Sequence, residues 1–340
     1  MKKMIALLLS VLMILGSFTA CGAQGGEIQP STEPVQTELA EEAETLKVLT
    51  LGHSLAVDSG HMLALIAAAE GYGDMTVGTL YYSGCPLYRH VEFLTNDSRE
   101  YNLYLSSTMT PNDTPTIMEG VSMRDALRHD YWDIIILQGA VFEIAQSSTY
   151  TVGNIQTIQS YVNENKRNPN AVFGWHMPWA PPVDNDLRNT YPNVPNAYID
   201  GYATYYHNRT TLYNAITKCV GDHIVTDDSF EYLIPSGTAI ENALSSYLEE
   251  KDLHRDYAHA TDLGRVIAAY TWFCTLTGVE QLEEIKLEVI PRNFFRSIQA
   301  AEDYVLTDAE KAIIVESVNN ALKNPLELTQ SRYTEAPVAE

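Results

Sequence analysis

The segment Leu46–Leu51 (LKVLTL) is an apolar run interrupted only by Lys47 and Thr50, the pattern of a strand. It stops at Gly52-His53-Ser54. Asp58 or Ser59 then supplies a helix cap, Met62, Leu65, Ile66 and Ala69 recur at helical spacing, and Gly71 and Gly73 end the helix. Met75–Tyr81 alternates as a second strand, followed by the turn signal Ser83-Gly84-Cys85-Pro86. Residues 100–120 are polar and Thr-rich, which reads as a hairpin or a lid insertion. A short helix around Met123–Arg128 leads into Ile134-Ile135-Ile136-Leu137, whose continuous apolarity suits a strand buried on both faces.

The alternation continues to the end of the core. Helical residues 150–165 precede a strand at Ala171–Trp175, and a Pro- and Asn-rich loop (178–197) precedes a helix around 201–219. A short strand at Ile224-Val225 and a helix near 238–250 follow. The last core helix spans about 261–277, with Leu263, Val266, Ile267, Tyr270 and Cys274 on one face and Gly278 at its end. Strands alternating with helices predict an α/β fold, a mostly parallel sheet covered on both sides. Ligands of such sheets sit at the carboxyl ends of strands. Ser54, Gly84 and Gln138 each lie just past a predicted strand.

The two ends of the chain are of a different kind. Lys2 and Lys3 precede an apolar run from Met4 to Leu15, which reads as the export signal of residues 1–20 rather than a spanning helix. Phe18-Thr19-Ala20-Cys21 resembles a bacterial lipobox, with Phe18 where Leu is usual. Lipidation of Cys21 would tether the protein to the extracytoplasmic face of a membrane; ordinary secretion is the alternative. Residues 21–45, rich in Gly, Gln, Thr, Pro and Glu, read as a disordered tether, and 326–340 as a loose C-terminal tail. The roughly 280 residues between them suit one large domain, 46–325. With 21 Lys+Arg against 44 Asp+Glu, the net charge of −23 argues against nucleic acid or anionic lipid as a partner. Beyond Cys21, Cys85, Cys219 and Cys274 are far apart, without zinc-like spacing, and read as small buried residues. No His/carboxylate set has metal spacing and no glycine-rich loop follows a strand in dinucleotide style, so neither metal nor cofactor is implied.

A serine hydroxyl at the end of a first strand becomes a nucleophile only with a base in reach, a partner to orient that base, and donors for the oxyanion. In HRDYAHATDLG (254–264), Asp256 and His259 stand three apart, immediately before the last core helix. A tight turn there would direct His259 at Ser54 with Asp256 on the other ring nitrogen. Gly52-His53-Ser54-Leu55-Ala56 approaches the G-x-S-x-G elbow but fails at Ala56, and its serine follows the first strand rather than a later one.

This ordered set resembles the SGNH (GDSL-like) hydrolases, and within them a bacterial group described only as a domain of unknown function. The resemblance is carried by VLTLGHSLAVDSG, TVGTLYYSGCPL, WDIIILQGA, GWHMPWA, IPSGTAIENA and RDYAHATDLGRVIAAYTWFCTLTG, spanning about 48–278. It implies a flavodoxin-like three-layer α/β/α sandwich and a serine esterase without cofactor. Ser54 would be the nucleophile, His259 the base and Asp256 its partner. The backbone N–H groups of Ser54 and Gly84 and the side chain of Gln138, where Asn is usual, would form the oxyanion hole. His53 stands where Asp or Asn is common; it either contacts substrate or packs. Trp175 and His176 either line the cleft as a surface for a sugar or form a buried aromatic pair. The implied substrate is an O-acylated, above all O-acetylated, carbohydrate. A glycan-binding surface protein that has lost catalysis and an O-acyltransferase using the same residues are the alternatives.

Overall fold

The computed structural model describes residues 45–182, 208–292, 294 and 302–337. The expected export signal, Cys21, nearly all of the tether, most of the 178–197 loop, the start of the helix expected from 201 and the last three residues lie outside them. Five parallel strands form the body of one sheet: β1 (Thr45–Gly52), β2 (Asp74–Tyr81), β5 (Ile134–Leu137), β6 (Val172–His176) and β7 (Phe230–Ile234). The polar 100–120 segment is a hairpin, β3 (Tyr101–Ser107) and β4 (Thr116–Val121), which extends the sheet antiparallel beyond β2. The order is β4-β3-β2-β1-β5-β6-β7, so the chain leaves β1 in one direction and returns on its other side with β5. A crevice opens at the carboxyl ends of strands where the winding reverses in this way.

The helices fall into two sets, each packed within itself. One holds α1 (Ser54–Gly60), α2 (Leu63–Glu70), α8 (Ser236–Leu244), α9 (Glu250–Leu253), α10 (Asp262–Thr277) and α11 (Asp308–Lys323). The other holds α3 (Leu87–Thr95), α4 (Met123–His129), α5 (Ser147–Thr151), α6 (Asn154–Asn165) and α7 (Arg209–His223). The result is the α/β/α sandwich expected from the sequence. All four residues of β5 are buried, as a strand covered on both faces requires. α10 is buried over nearly its whole length, its charged Arg265 included.

Four local expectations need correction. The first helix starts at Ser54 rather than beyond Asp58, because His53 supplies the N-cap; Asp58 lies inside the helix and is buried. Ile224-Val225 is not a strand: Ile224 is the C-cap of α7, and the strand is the next apolar stretch, Phe230–Ile234. The segment 150–165 is two helices, α5 and α6. The C-terminal stretch is fastened, not loose, over its described part. Thr329 N–H donates to Asn242 Oδ1 at 2.8 Å, Ser331 N–H to Ser245 Oγ at 2.8 Å, and Tyr247 N–H to Tyr333 O at 2.8 Å.

The helix α11, which no motif announced, begins with a capping box between Thr307 and Glu310 and buries Ile313, Ile314 and Val318 against α8 and α10. Ile314→Ala should therefore destabilise the domain by about 2–5 kcal/mol in urea titration. A loss below about 0.5 kcal/mol, the level of a surface change, would mean that α11 is not part of the folded unit.

Candidate active site

Three adjacent strands deliver the predicted residues to one edge. Gly52 is paired with Tyr81 and Leu51 with Leu137. Ser54, Gly84 and Gln138 thus lie one to three residues beyond neighbouring strand ends of β1, β2 and β5. Gly84 turns the chain after β2 with a φ of +58°, in the left-handed region that favours glycine. His53 fixes the exit from β1. Its Nε2–H donates to Gly139 O at 3.1 Å and its Nδ1 accepts the Leu55 N–H at 3.4 Å. Complete burial lowers its pKa to about 4, so near neutral pH the ring is uncharged and held in one tautomer. It is inaccessible to substrate; packing is the role the structure leaves it.

The 256–259 turn meets this strand end across 205 residues of sequence. His259 Nε2 lies 2.8 Å from Ser54 Oγ. Its Nδ1–H donates to Asp256 at 2.9 Å from both carboxylate oxygens. Asp256 Oδ1 also accepts the backbone N–H groups of Ala258 and His259, each at 2.9 Å. Burial raises the Asp256 pKa, but the hydrogen bond and charge of His259 and the two backbone donors outweigh it and bring it to about 2. An ionised Asp256 keeps the proton of His259 on Nδ1, which leaves the Nε2 lone pair for the serine hydroxyl.

An ion cluster fastens this turn to α1. The Asp58 carboxylate, 1% exposed, accepts Arg265 Nε at 3.0 Å, Arg255 Nη1 at 3.1 and 3.2 Å and the Ala260 N–H at 3.0 Å. A further Arg265 nitrogen, Nη2, lies 3.0 Å from Oδ1. Arg265 reaches Asp262 as well, at 2.9 Å, and the Arg255 guanidinium donates to Ala260 O. Asp58 is one helical turn beyond Ser54, while Arg255 and Ala260 bracket Asp256 and His259. The sequence reading missed this cluster and took Asp58 for a cap. A signal was present: a charged residue at 265 within an otherwise apolar helix must have a buried counterion.

Gln138 is fully buried. Its Oε1 accepts His176 Nδ1–H at 2.7 Å, and its Nε2 has no hydrogen-bond partner among the described residues. A Cβ at Gly52 would stand 2.8 Å from Gln138 Nε2 and 3.0 Å from Ala56 Cβ. The missing side chain at 52 is thus what lets the amide lie against the strand end that presents Ser54. An orphaned buried donor costs about 1–3 kcal/mol, and such strain is kept where a ligand relieves it. Trp175 and His176 are wholly enclosed, Trp175 against Tyr150 and Phe230, which rules out stacking on a sugar. The sequence did not point to Glu143 either, a buried carboxylate. Its Oε2 accepts the N–H groups of Leu87 at 3.1 Å and Ala140 at 2.9 Å, joining the loops that follow β2 and β5. Among the described residues no group of three or more His, Cys, Asp or Glu is arranged to hold a metal ion, and no helix is long and apolar enough to cross a membrane.

The chain belongs to the family of the domain of unknown function DUF4886, whose model matches residues 47–290. The crystal structure of a DUF4886 family protein from Bacteroides uniformis is similar with a TM-score of 0.68 and 24% identity, over 86% of this chain and 100% of that one. It has the same fold. Further likenesses are to a candidate SGNH hydrolase from Slackia heliotrinireducens (TM-score 0.40, 15% identity, 68% of this chain and 99% of that one). A family 3 carbohydrate esterase from Clostridium thermocellum gives a TM-score of 0.37 and 10% identity, over 69% and 97%. No curated protein matches the sequence.

Removing Asp58 takes away the carboxylate that two guanidinium groups share, leaving Arg265 with Asp262 at 2.9 Å and Arg255 with Asp256 at 3.9 Å. Asp58→Ala should cost about 3–5 kcal/mol in denaturant titration; a loss under about 1 kcal/mol would show that the cluster does not hold the turn. Burial raises the Glu143 pKa from 4.5 to about 7, against the pull of its two backbone donors. Because the folded value is the higher one, its contribution to stability is complete below pH 4.5 and is lost as pH rises through about 7. Glu143→Gln keeps an acceptor and should flatten that decline by about 2–3 kcal/mol between pH 4.5 and 8; an unchanged pH profile of melting would contradict the assignment.

Proposed function

We propose that this protein is a serine esterase of the SGNH type that removes O-acyl groups, chiefly acetyl, from carbohydrate. The observation that carries the reading is the continuous line of hydrogen bonds from Ser54 Oγ through the His259 ring to Asp256, at 2.8 and 2.9 Å. Ser54 Oγ attacks the ester carbonyl carbon while His259 Nε2 takes its proton, and the ionised Asp256 stabilises the resulting imidazolium. The carbonyl oxygen becomes an oxyanion facing the backbone N–H groups of Ser54 and Gly84 and the Gln138 amide. Collapse expels the sugar hydroxyl, which takes the proton from His259. Water then attacks the acyl-serine, giving its proton to His259. The acid leaves and the proton returns to Ser54 Oγ.

The choice of carbohydrate follows from the expected export and the abundance of tyrosine, 21 residues in all, of which Tyr88 near the Gly84 turn is half exposed. The unpaired Gln138 donor favours catalysis over a purely glycan-binding role, since a binding module has no use for an unmet donor beside a primed serine. Transfer of the acyl group to another sugar hydroxyl would use the same residues and differs in its products. We further propose that Cys21 carries the lipid that holds the enzyme at the membrane surface.

With p-nitrophenyl acetate, Ser54→Ala and His259→Ala should each lower turnover by about 10⁴-fold, and Gln138→Ala by about 10²–10³-fold. Undiminished hydrolysis in Ser54→Ala would exclude Ser54 as the nucleophile. Radiolabelled palmitate should enter the wild-type protein in cells and not Cys21→Ser; equal labelling of both would remove the anchor.

A further inference from the structure

The proposed reaction uses Ser54, His259, Asp256 and the three oxyanion donors, yet it gives no part to the buried histidine that holds one of those donors. His176, at the end of β6, is completely enclosed, and its Nδ1 lies 2.7 Å from Gln138 Oε1. Its Nε2 has no hydrogen-bond partner among the described residues, and its ring stands edge-on to Trp272 with centroids 4.9 Å apart. A side-chain amide is two-faced: whichever end is held decides what the other end offers. Held at Oε1, Gln138 can present only N–H groups toward Gly52 and the strand end beside Ser54. Held instead at Nε2, it would present a carbonyl oxygen there and repel a developing oxyanion.

We propose that His176 is a positioning residue of the oxyanion hole, whose Nδ1–H grips Gln138 Oε1 and thereby directs the Gln138 N–H pair at the carbonyl oxygen of the bound ester. The inference rests on the esterase reading of the same site and adds a residue to it. The chemistry requires a proton on Nδ1. Burial keeps the ring neutral by lowering the His176 pKa to about 3, so only one nitrogen carries a proton. The acceptor in front of Nδ1 decides that it is Nδ1. Donation into the amide oxygen also polarises the amide, which strengthens its N–H groups as donors. Gln138 stands at the end of β5, between β6 and β1 in the sheet, so its amide touches His176 on one side and lies against Gly52 on the other.

The test combines kinetics with a tautomer measurement. His176→Phe, which fills the volume without a donor, should lower kcat on p-nitrophenyl acetate by about 10- to 100-fold, with KM little changed. His176→Asn, which can donate from nearly the position of Nδ1, should recover most of it. In a Gln138→Ala background His176→Phe should have no further effect, because its action passes through that amide. Independent, multiplicative losses in the double variant would overturn the inference, as would full activity in His176→Phe while Ser54→Ala is inactive. Heteronuclear NMR of the His176 ring needs neither a variant nor turnover. It should report the Nδ1–H tautomer, moving toward Nε2–H in Gln138→Leu. An Nε2–H ring in the wild-type protein would mean that Gln138 is turned the other way and would refute the proposal, even should Ser54→Ala prove active and the esterase reading fail by itself.

Discussion

One buried carboxylate decides whether this site exists. Ser54 belongs to the first helix of the domain, while Asp256 and His259 belong to a turn some two hundred residues later. Nothing local to either segment brings them together. Asp58 does so by accepting from Arg255, Arg265 and the Ala260 backbone at once. Taking three charges out of water is costly, and replacing them with apolar groups of equal volume would often stabilise a fold. Their value here is geometric: directional hydrogen bonds fix the spacing of two elements where apolar packing would tolerate sliding. A shift of one ångström would part Ser54 from His259, now 2.8 Å apart.

The opposite wall of the crevice is set by the same means. His53 bonds to Gly139, His176 to Gln138, and Glu143 to both the β2 and β5 loops. Each is buried, and each is joined to an element from another strand. Burial keeps both histidines neutral by depressing their basicity, so no charge accompanies these bonds. The site is thus lined by buried polar groups: His53, His176 and Gln138 are uncharged near neutral pH, and Glu143, with a pKa of about 7, is only partly ionised there. Such a lining puts fixed dipoles where water would otherwise reorganise, the condition under which an oxyanion is stabilised most.

Much of this was legible in the sequence, for identifiable reasons. Strands buried on both faces announce themselves as unbroken apolar runs, as in Ile134–Leu137, and the βα alternation implies which residues emerge at strand ends. That is why Ser54, Gly84 and Gln138 were legible as strand-end residues, while Asp256 and His259 stood out as a spaced pair before the last core helix and the resemblance to SGNH hydrolases implied the roles of all five. The ion cluster was not legible, because Asp58 reads equally as a helix cap and its partners are remote. Helix α11 and the fastened C-terminus lie past the last motif, where only burial distinguishes a structural helix from a solvated one. For His53 and His176 substrate contact and packing stayed equally open, because a histidine just past or at a strand end carries no mark of its depth. Ile224-Val225 shows the limit of short apolar pairs, which cap a helix as readily as they start a strand.

The central claim is that Ser54 is a nucleophile made reactive by His259. Intact-mass spectrometry after exposure to a fluorophosphonate tests it directly, since a phosphonyl adduct forms only on an activated serine. The expected result is a single adduct, mapped to Ser54, in the wild-type protein and its absence in His259→Ala. No adduct in the wild type, an adduct on another residue, or undiminished labelling without His259 would contradict the account.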